Sequence, residues 1–519
     1  MRLVNLRLPE FKGSTGISIP FELQRRSDPS LAFLVGPNGS GKSRVLEALG
    51  HIFSHLASRV APGFRFEVEY ELRHSRVLLT TESSNLEQLL GRSPPERLQE
   101  VGAWLLHSRL PFDGWTTEHA LGAWPTYLDD VLPFRVIGLS SGPASRLDWA
   151  LRESVASSLS QRAFGAAAEA EDELDVKDRT EYVRGEDEIV SSQLQSLAAE
   201  PRSLPISGPE LVLPILALMS HPLAGRERSA MRDEILSKAG LFAGGSLKAV
   251  SFDVPADWAA LLPPQRHQAF QSFLERSVRR VPILPDGRRH PDLEPDVRCV
   301  FVIDPRFESW IAEAASSPFV WLTQLQSWAK AGGLREPRLT LTASGRDGLF
   351  RDRDLSDGEF LIVGRYSLLF LLEQHHDCLV LFDEPETHFN DRWKIDLVYD
   401  LERILRGNSA QVLIATHSDL TLTDADRSDV FVMQGESEGD RDEVPQLPLI
   451  SPLGADRNEI SRHIFGAQSA SGRRAREIVE EALESRDPKQ LEEAIDRVGP
   501  GHQEFRLRYQ AERLKDDAP

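Results

Sequence analysis

The sequence predicts an α/β fold in which a mixed sheet is flanked by helices and interrupted by a large, mainly helical insertion. Three continuous apolar runs, LAFLV, CLVLF and QVLIA, are typical of parallel strands that are covered on both faces. Each run is followed by glycine or polar residues, at the strand ends where open α/β sheets collect their ligands. The first run lies near the N-terminus and the other two lie far along the chain, so the residues between them hold the insertion.

Length and composition indicate a globular protein of several domains. The 519 residues are 40% hydrophobic and 27% charged, which provides for a sizeable core and roughly two or three domains. A formal net charge of −20 disfavours the wrapping of a polyanion, although screening beyond about 8 Å leaves a local basic face able to bind one. Cys299 and Cys378 each lie in an apolar run, which predicts buried thiols rather than a disulfide or metal ligands.

The N-terminal segment MRLVNLRLPEFKG lacks the features of a secretion signal. Pro9 and Glu10 interrupt the segment before an apolar core can form. No uninterrupted apolar run approaches the roughly 18 residues of a membrane-spanning helix. We therefore expect a soluble cytoplasmic protein that does not associate with membranes.

Residues 1–144 are predicted to form the first half of the α/β core. Short runs broken by Gly, Pro and Ser predict strands at RLVNLRL, GISIPFEL, LAFLVG and FRFEVEYELR. A single helix is expected from Ser43 towards Leu56. Residues 84–132 have a helical pattern, clearest in ERLQEVGAWLLHSRL, and PFRVIGLSSG predicts a further strand and turn.

Residues 145–335 are predicted to be the mainly helical insertion. Its first part is strongly acidic, which indicates a solvated face or a linker, and the prolines that follow exclude a long coiled coil. Strand-like VRCVFVID and RLTLTASG lead to the second half of the core, residues 336–455. A last helical region, residues 456–519, closes the chain.

A glycine-rich loop, GPNGSGKS, connects the LAFLV strand to the first helix. Glycines at these positions let successive backbone N–H groups point inward at a phosphate, and the following helix presents its positive N-terminus to the same anion. In this pattern the lysine reaches the β and γ phosphates and the last serine hydroxyl ligates Mg²⁺. The expected ATP-binding residues are Gly36, Asn38, Gly39, Ser40, Gly41, Lys42, Ser43 and Arg44.

Two carboxylates, Asp383 and Glu384, follow the CLVLF strand. At the C-terminal edge of a parallel sheet, the first is placed to hold Mg²⁺, together with Ser43. The second can orient and deprotonate the water that attacks a γ-phosphate. His417 ends the QVLIAT strand and can hydrogen-bond the same phosphate or water, so Glu384 and His417 are the expected catalytic residues.

Ser356, Asp357, Gly358 and Glu359 form an S-x-x-E capping box that predicts a helix through EFLIVGRYSLLFLLEQ. The start of that helix is a second possible anion site, since Gly358 removes a side chain that would hold a phosphate away. Ser356, Gly358 and Glu359 are therefore expected to contact nucleotide as well.

The segments GPNGSGKS, LSDGE, LVLFDEPETHFND and ATHS resemble, in this order, the Walker A, signature, Walker B and switch-histidine motifs of ABC-type ATPases. The resemblance is to the chromosome-maintenance and RecF-like branch of these P-loop NTPases. The run DEPETHFND-x-WK is most similar to stand-alone bacterial ATPases associated with restriction systems and with retron or Septu-type antiphage defence. Asp357 replaces the second signature glycine, and VIGLSSGPASR offers no glutamine for the Q-loop of the family.

The resemblance implies an ATP- and Mg²⁺-dependent hydrolase whose signature helix completes the nucleotide site of a second subunit. One Walker A and one signature per chain therefore imply a head-to-tail homodimer, or a higher oligomer, clamped by ATP. The antiphage relatives further imply control of a separately encoded effector, either a nuclease or a toxin. The alternative is a DNA-repair or chromosome-maintenance ATPase that acts directly on DNA.

Other interpretations stay open at this level. G-L-S-S-G matches the nucleophile elbow of an esterase with Ser140 as nucleophile, although no suitable Asp and His follow. His375, His376 and Asp377 are imaginable metal ligands, but adjacent residues rarely converge on one ion. An ABC transporter subunit is a further alternative. Basic clusters at 276–280, 288–289 and 473–476 are candidate DNA contacts or dispersed solvated arginines.

Overall fold

The computed structural model is described over much of the chain. The described residues are 1–12, 16–24, 29–58, 60–81, 103–110, 112, 114–115, 117–120, 131–140, 147, 150–151, 203–206, 208–223, 225–238, 247–284, 295–343, 346–372, 377–434, 444–466, 472–485 and 487–516. The predicted acidic segment, and most of the first part of the insertion, therefore lie outside the described residues.

The described elements include both strands and helices. The strands are β1 (Arg2–Leu8), β2 (Ile17–Ile19), β3 (Ser30–Val35), β4 (Glu67–Leu72), β5 (Ser75–Thr80), β6 (Trp104–Arg109), β7 (Thr117–Ala120), β8 (Arg135–Ser140), β9 (Ser203–Ile206), β10 (Leu247–Val254), β11 (Arg279–Pro282), β12 (Val297–Val302), β13 (Arg335–Ala343), β14 (Arg346–Arg351), β15 (Cys378–Asp383), β16 (Gln411–Thr416) and β17 (Val430–Val432). The helices are α1 (Lys42–Ala57), α2 (Val212–Ser220), α3 (Arg226–Ser237), α4 (Trp258–Leu261), α5 (Pro264–Glu275), α6 (Pro305–Ala314), α7 (Pro318–Lys330), α8 (Asp357–Leu371), α9 (Asp391–Ile404), α10 (Arg457–His463), α11 (Arg473–Ser485), α12 (Pro488–Arg497) and α13 (His502–Asp516).

A parallel sheet of the order β17-β3-β16-β15-β8-β9 carries the three apolar runs of the sequence. All five strand pairings in it are parallel. The central strands β3 and β16 are buried along their whole length, as expected of strands covered on both faces. The carboxyl ends of β3, β15 and β16 consequently meet at one edge of the sheet.

A second, antiparallel sheet has the order β2-β1-β4-β5-β6-β7. Its strand β4 alternates between buried and half-buried residues, as in a sheet with one face on a core. Helix α1 packs in the same hydrophobic core, which joins Leu3 and Val68 of this sheet to Leu49 of the helix and Leu381 of the parallel sheet. Helix α1 is therefore held between the two sheets.

A third sheet, β11-β12-β10-β13-β14, is antiparallel and is built largely from the region predicted to be the insertion. One face of it contributes Phe252 and Phe301 to an aromatic cluster with Phe273, Trp321 and Trp328 of helices α5 and α7. The rings of Phe273 and Phe301 stack with centroids 4.3 Å apart and planes at 12°. The described part of this region is thus helices packed on a sheet, and its first strand, β9, joins the parallel sheet instead.

The predicted α/β fold class, of P-loop type with strands flanked by helices, is confirmed. The described strands form one parallel and two antiparallel sheets instead of the single mixed sheet that was expected. The strands of LAFLVG, CLVLF and QVLIAT and the helix after Ser43 lie where the sequence places them. Helical structure was wrongly predicted within residues 84–132, because Trp104–Arg109 forms β6, which pairs antiparallel with β5, and Thr117–Ala120 forms β7, which pairs antiparallel with β6. Short apolar runs are ambiguous between buried helix and buried strand, and here pairing with β5 decides the outcome.

Residues 455–519 form a separate compact unit, adjacent to the boundary expected before residue 456. Its core consists of Val479, Leu491 and Leu507 with two alanines, contributed by α11, α12 and α13. Both cysteines of the chain, Cys299 and Cys378, are buried thiols that form no disulfide, as predicted. None of the helices in the described part of the chain has both the length and the apolar character needed to cross a membrane.

Candidate functional site

The loop from Gly36 to Ser43 connects β3 to α1 and depends on its glycines. Gly36 has φ +145°, and a Cβ atom there would lie 2.2 Å from the carbonyl oxygen of Met433, which neighbours β17. Gly39 and Gly41 also have positive φ, +87° and +92°. Gly41 is the N-cap of α1 and supplies no side-chain cap to it. The N–H groups that begin α1 therefore lack a side-chain cap at this position, which suits an anionic ligand.

The Lys42 side chain folds back over this loop. Its ammonium group donates hydrogen bonds to the carbonyl oxygens of Gly36, at 2.8 Å, and Pro37, at 3.0 Å. Burial lowers the pKa of Lys42, while the nearby carboxylates of Glu384 and Asp383 oppose this shift. The positive charge thus lies inside the loop, beside the carboxyl end of β15.

Ser43 and Asp383 meet although 340 residues separate them in the sequence. The Ser43 hydroxyl donates a hydrogen bond of 2.8 Å to Asp383 Oδ1. Burial raises the pKa of the Asp383 carboxyl, and the bond from Ser43 acts in the opposite direction. A hydroxyl and a carboxylate at one point are the hard oxygen ligands that Mg²⁺ uses alongside phosphates and waters.

The donor set fits Mg²⁺ with nucleotide better than a metal held by protein alone. In the part of the chain that the structure describes, no group of three or more His, Cys, Asp or Glu side chains could hold a metal ion. Mg²⁺ typically takes only one or two carboxylates from a protein and completes its shell with phosphate and water. The glycine loop supplies the matching cradle for the phosphates.

Glu384 and His417 lie side by side at the ends of adjacent parallel strands. The register pairs Asp383 with Ala415, and the amide of Glu384 donates to the Ala415 carbonyl at 2.9 Å. His417 Nδ1 is 3.0 Å from Glu384 Oε1, so the imidazole donates when Nδ1 carries the proton. Both side chains are about half exposed, and a water molecule could reach them. Glu384 has φ +50°, which is uncommon for a residue other than glycine.

Three residues near this pair were missed by the sequence analysis. Buried Glu386 accepts a hydrogen bond from the Thr416 hydroxyl, and buried Arg365 of α8 donates to the carbonyl of Pro385. Three features of the sequence could have indicated them. Glu386 is the last acid of D-E-P-E, Thr416 directly precedes His417, and Arg365 is a charged residue inside the apolar stretch of α8.

The structure places Ser356, Gly358 and Glu359 at the start of α8, as predicted. The Ser356 hydroxyl and amide both donate to Glu359 Oε2 at 2.8 Å, and the Glu359 amide donates to Ser356 Oγ at 3.3 Å. A Cβ atom on Gly358 would lie 2.5 Å from the carbonyl oxygen of His388. Gly358 is therefore required by packing within the chain, a reason that the sequence analysis did not give.

The remaining predicted residues of the Gly36–Ser43 loop have different environments. Asn38 and Gly39 are exposed, and Arg44 is half-buried. Ser40 is buried, and within the described ranges its hydroxyl has no hydrogen-bond partner. A buried hydroxyl without a partner is costly, and a bound phosphate would supply this atom with one.

The alternative sites gain no support. Asp377, considered as a metal ligand, is instead paired with the N-terminal amino group at 3.0 Å and with Arg73 Nε at 3.1 Å. Its two histidine neighbours lie outside the described residues. Ser140 ends β8 beside Asp383, but the residues after it, including the rest of the elbow and the expected Q-loop, also lie outside the described residues.

Comparisons with known proteins agree with a nucleotide-binding fold at the N-terminus. Residues 1–92 match the family model described as an AAA domain. No curated protein matches the chain.

Solved structures of Smc heads align with most of the chain at low similarity. An Smc head bound to the C-winged helix domain of ScpA is 14% identical, with a TM-score of 0.31, and the alignment covers 87% of this chain and 97% of that one. An Smc head from Pyrococcus furiosus bound to the C-terminal domain of ScpA is 13% identical, with a TM-score of 0.29, and the alignment covers 87% of this chain and 96% of that one. An SMC head domain from Thermotoga maritima is 13% identical, with a TM-score of 0.26, and the alignment covers 81% of this chain and 91% of that one. These scores are too low to carry a conclusion, and the sheet topology of the chain itself defines the fold.

Proposed function

We propose that the protein is a Mg²⁺-dependent ATP hydrolase of the ABC type. One observation carries this proposal: the 2.8 Å hydrogen bond that joins Ser43, after the glycine loop, to Asp383, at the end of β15. A serine hydroxyl at the start of α1 and a strand-end carboxylate are the two protein ligands that P-loop enzymes offer to Mg²⁺. Mg²⁺ when bound would neutralise charge on the β and γ phosphates.

Different residues of the chain bind the phosphates and activate the attacking water. The loop amides and Lys42 bind and orient the phosphates, and Lys42 is already directed into the loop by its bonds to Gly36 and Pro37. Glu384 accepts a proton from the attacking water, and His417 holds the Glu384 carboxylate through Nδ1. Because both groups are accessible, water can enter between them and the γ-phosphate position.

We infer that two chains pair head to tail around two nucleotides. The support is the resemblance to ABC-type ATPases, in which the signature of one subunit completes the nucleotide site of the other, and this chain has one glycine loop and one signature turn at Ser356–Glu359. A Glu384→Gln variant in saturating ATP and Mg²⁺ tests both parts of the proposal, with phosphate release reporting hydrolysis and light scattering reporting the dimer. The variant should bind ATP, lose hydrolysis by roughly 100-fold or more, and accumulate as a dimer.

The control is Glu384→Gln combined with Lys42→Ala, which should stay monomeric because it cannot hold the triphosphate. A Glu384→Gln protein that hydrolyses ATP at the wild-type rate would contradict the catalytic assignment. A protein that binds ATP but remains monomeric would contradict the paired arrangement alone.

We further propose that the ATP-dependent dimer acts as a switch that controls a separately encoded effector in antiphage defence. The support is the motif resemblance of DEPETHFND-x-WK. Arg276 and Arg280, two of the candidate DNA contacts, are exposed; Arg276 also lies over the Trp310 ring at 5.8 Å, and Arg280 donates to the Leu274 carbonyl at 2.8 Å. Co-purification of a nuclease or toxin with the tagged protein is expected. ATP hydrolysis that is stimulated by DNA and weakened steeply by salt would favour the DNA-repair alternative instead.

A further inference from the structure

The two turns that carry Glu384 and His417 are joined by a buried hydrogen bond between two neighbouring residues, Thr416 and Glu386. Glu384 begins the turn after β15, and His417 begins the turn after β16. Thr416 and Glu386 lie behind them, 0% and 2% exposed, and the Thr416 hydroxyl donates to Glu386 Oε1. Burial raises the pKa of the Glu386 carboxyl, and the bond from Thr416 opposes that shift.

The same threonine also holds the turn that presents His417. Its Oγ1 accepts a hydrogen bond of 2.9 Å from the amide of Ser418. The Thr416 hydroxyl therefore donates its proton to Glu386 and accepts a hydrogen bond from the Ser418 amide. Thr416 and Ser418 are the two residues that flank His417 in the sequence. A valine has the same shape but can do neither, whereas a serine can do both.

The turn after β15 is secured at its other side by helix α8. Arg365 is 2% exposed and donates to the carbonyl of Pro385, the residue between Glu384 and Glu386. Its guanidinium also lies over the Phe389 ring at 5.6 Å. These contacts hold the backbone on which Glu384 adopts its positive φ, a conformation that persists only when the surroundings enforce it.

We propose that Thr416 and Glu386 are positioning residues for hydrolysis, and that the bond between them sets the 3.0 Å contact of His417 with Glu384. The inference rests on the proposed ATP hydrolysis. Neither residue lies at the reacting atoms, so they act through His417 and Glu384. Their loss should slow the chemical step and leave nucleotide binding, which depends on the glycine loop, unchanged.

The test compares Thr416→Val with Thr416→Ser in the full chain. Single-turnover hydrolysis and the Kd for ATP are measured for both variants, and thermal unfolding confirms that each is folded. Thr416→Val should hydrolyse ATP roughly 10- to 100-fold more slowly with a Kd within about threefold of wild type, because a small misplacement of a catalytic group costs rate. Thr416→Ser should keep the hydroxyl and stay within about threefold of the wild-type rate.

A double-variant cycle with His417→Ala identifies the route of the effect. If Thr416 acts through His417, the Thr416→Val change should cause no further loss in the His417→Ala background. Full additivity of the two losses would overturn the inference, and so would equal losses in the Val and Ser variants. If wild type hydrolyses ATP and Thr416→Val does so equally fast, only this inference fails. Absence of binding and hydrolysis by wild type would overturn the proposed function with it.

Discussion

Helices α1 and α8 both begin at a glycine-containing motif, yet the two N-termini are built differently. At α1 the N-cap is Gly41 with φ +92°, and it supplies no side-chain cap. At α8 the N-cap is Ser356, and a complete capping box with Glu359 occupies both side chains. At the level of sequence both starts are candidate anion sites, because each combines glycine with the positive end of a helix dipole.

The difference shows that glycine serves two purposes in the two motifs. At Gly36 and Gly41 the backbone has positive φ, so the residue permits a loop conformation that other residues rarely adopt. Gly358 is helical, and its missing side chain lets the carbonyl of His388 approach. The α1 start is therefore prepared for a ligand within one chain. The α8 start is first of all a stable helix cap that joins the turn after β15.

The largest expected effect is a difference in ATP affinity between a substitution at the start of α1 and a substitution at the start of α8. Lys42→Ala should weaken ATP binding to the dilute monomer by at least about 100-fold, about 2.7 kcal/mol, because the phosphates lose their buried cation. Ser356→Ala, the matched control at the other helix start, should change the same Kd by less than about threefold. Fluorescent-nucleotide titration measures both. Equal losses would show that the signature contributes to the site within one chain.

The second prediction compares one buried titratable side chain from each helix, His51 of α1 and Arg365 of α8. Burial and the neighbouring His55 and Lys12 lower the pKa of His51 in α1 to about 4, whereas burial lowers that of Arg365 in α8 only to about 10. An unfolded histidine, with a pKa near 6.5, takes up a proton more readily than folded His51. Stability should therefore fall as pH drops from 6.5 towards 4, and Arg365 should contribute no change there.

Denaturant unfolding at pH 7.5 and pH 5 measures this dependence. Wild type should lose about 2 kcal/mol more between these pH values than His51→Phe, which keeps an aromatic ring beside Phe11 and Phe64 but cannot titrate. An identical pH response of the two proteins would mean that His51 is not held neutral by its surroundings.

The smallest expected effect concerns the packing role of Gly358. In Gly358→Ala the new methyl group would meet the His388 carbonyl at 2.5 Å and the Trp393 ring at 3.2 Å, so backbone must shift. We expect a loss of about 1–2 kcal/mol of unfolding free energy without nucleotide. Gly63→Ala is the control, since a Cβ atom there meets nothing within 4 Å. Unchanged stability of Gly358→Ala would return this glycine to a purely ligand-related role.

Much of the fold and site was predictable because the signals are local. Buried strands appear as apolar runs, and the capping box at Ser356 is complete within four residues, as the structure shows. Strand β6 was predicted as helix because a short apolar run fits both structures, and pairing with β5 is a distant contact. Glu386 and Thr416 were missed for the same reason, since their hydrogen bond joins two strand ends and neither residue forms a local motif.

The sequence by itself determined the chemical groups, namely a glycine loop with Lys42 and Ser43, a pair of carboxylates and a histidine at strand ends. Only the tertiary structure decided which of them meet: Ser43 with Asp383, Glu384 with His417, and Gly358 with the His388 backbone. The physical reason is the sequence separation over which each kind of interaction acts. Backbone conformation and capping depend on neighbours within a few residues, whereas contacts between strand ends depend on strand order and register, which packing of the whole sheet establishes.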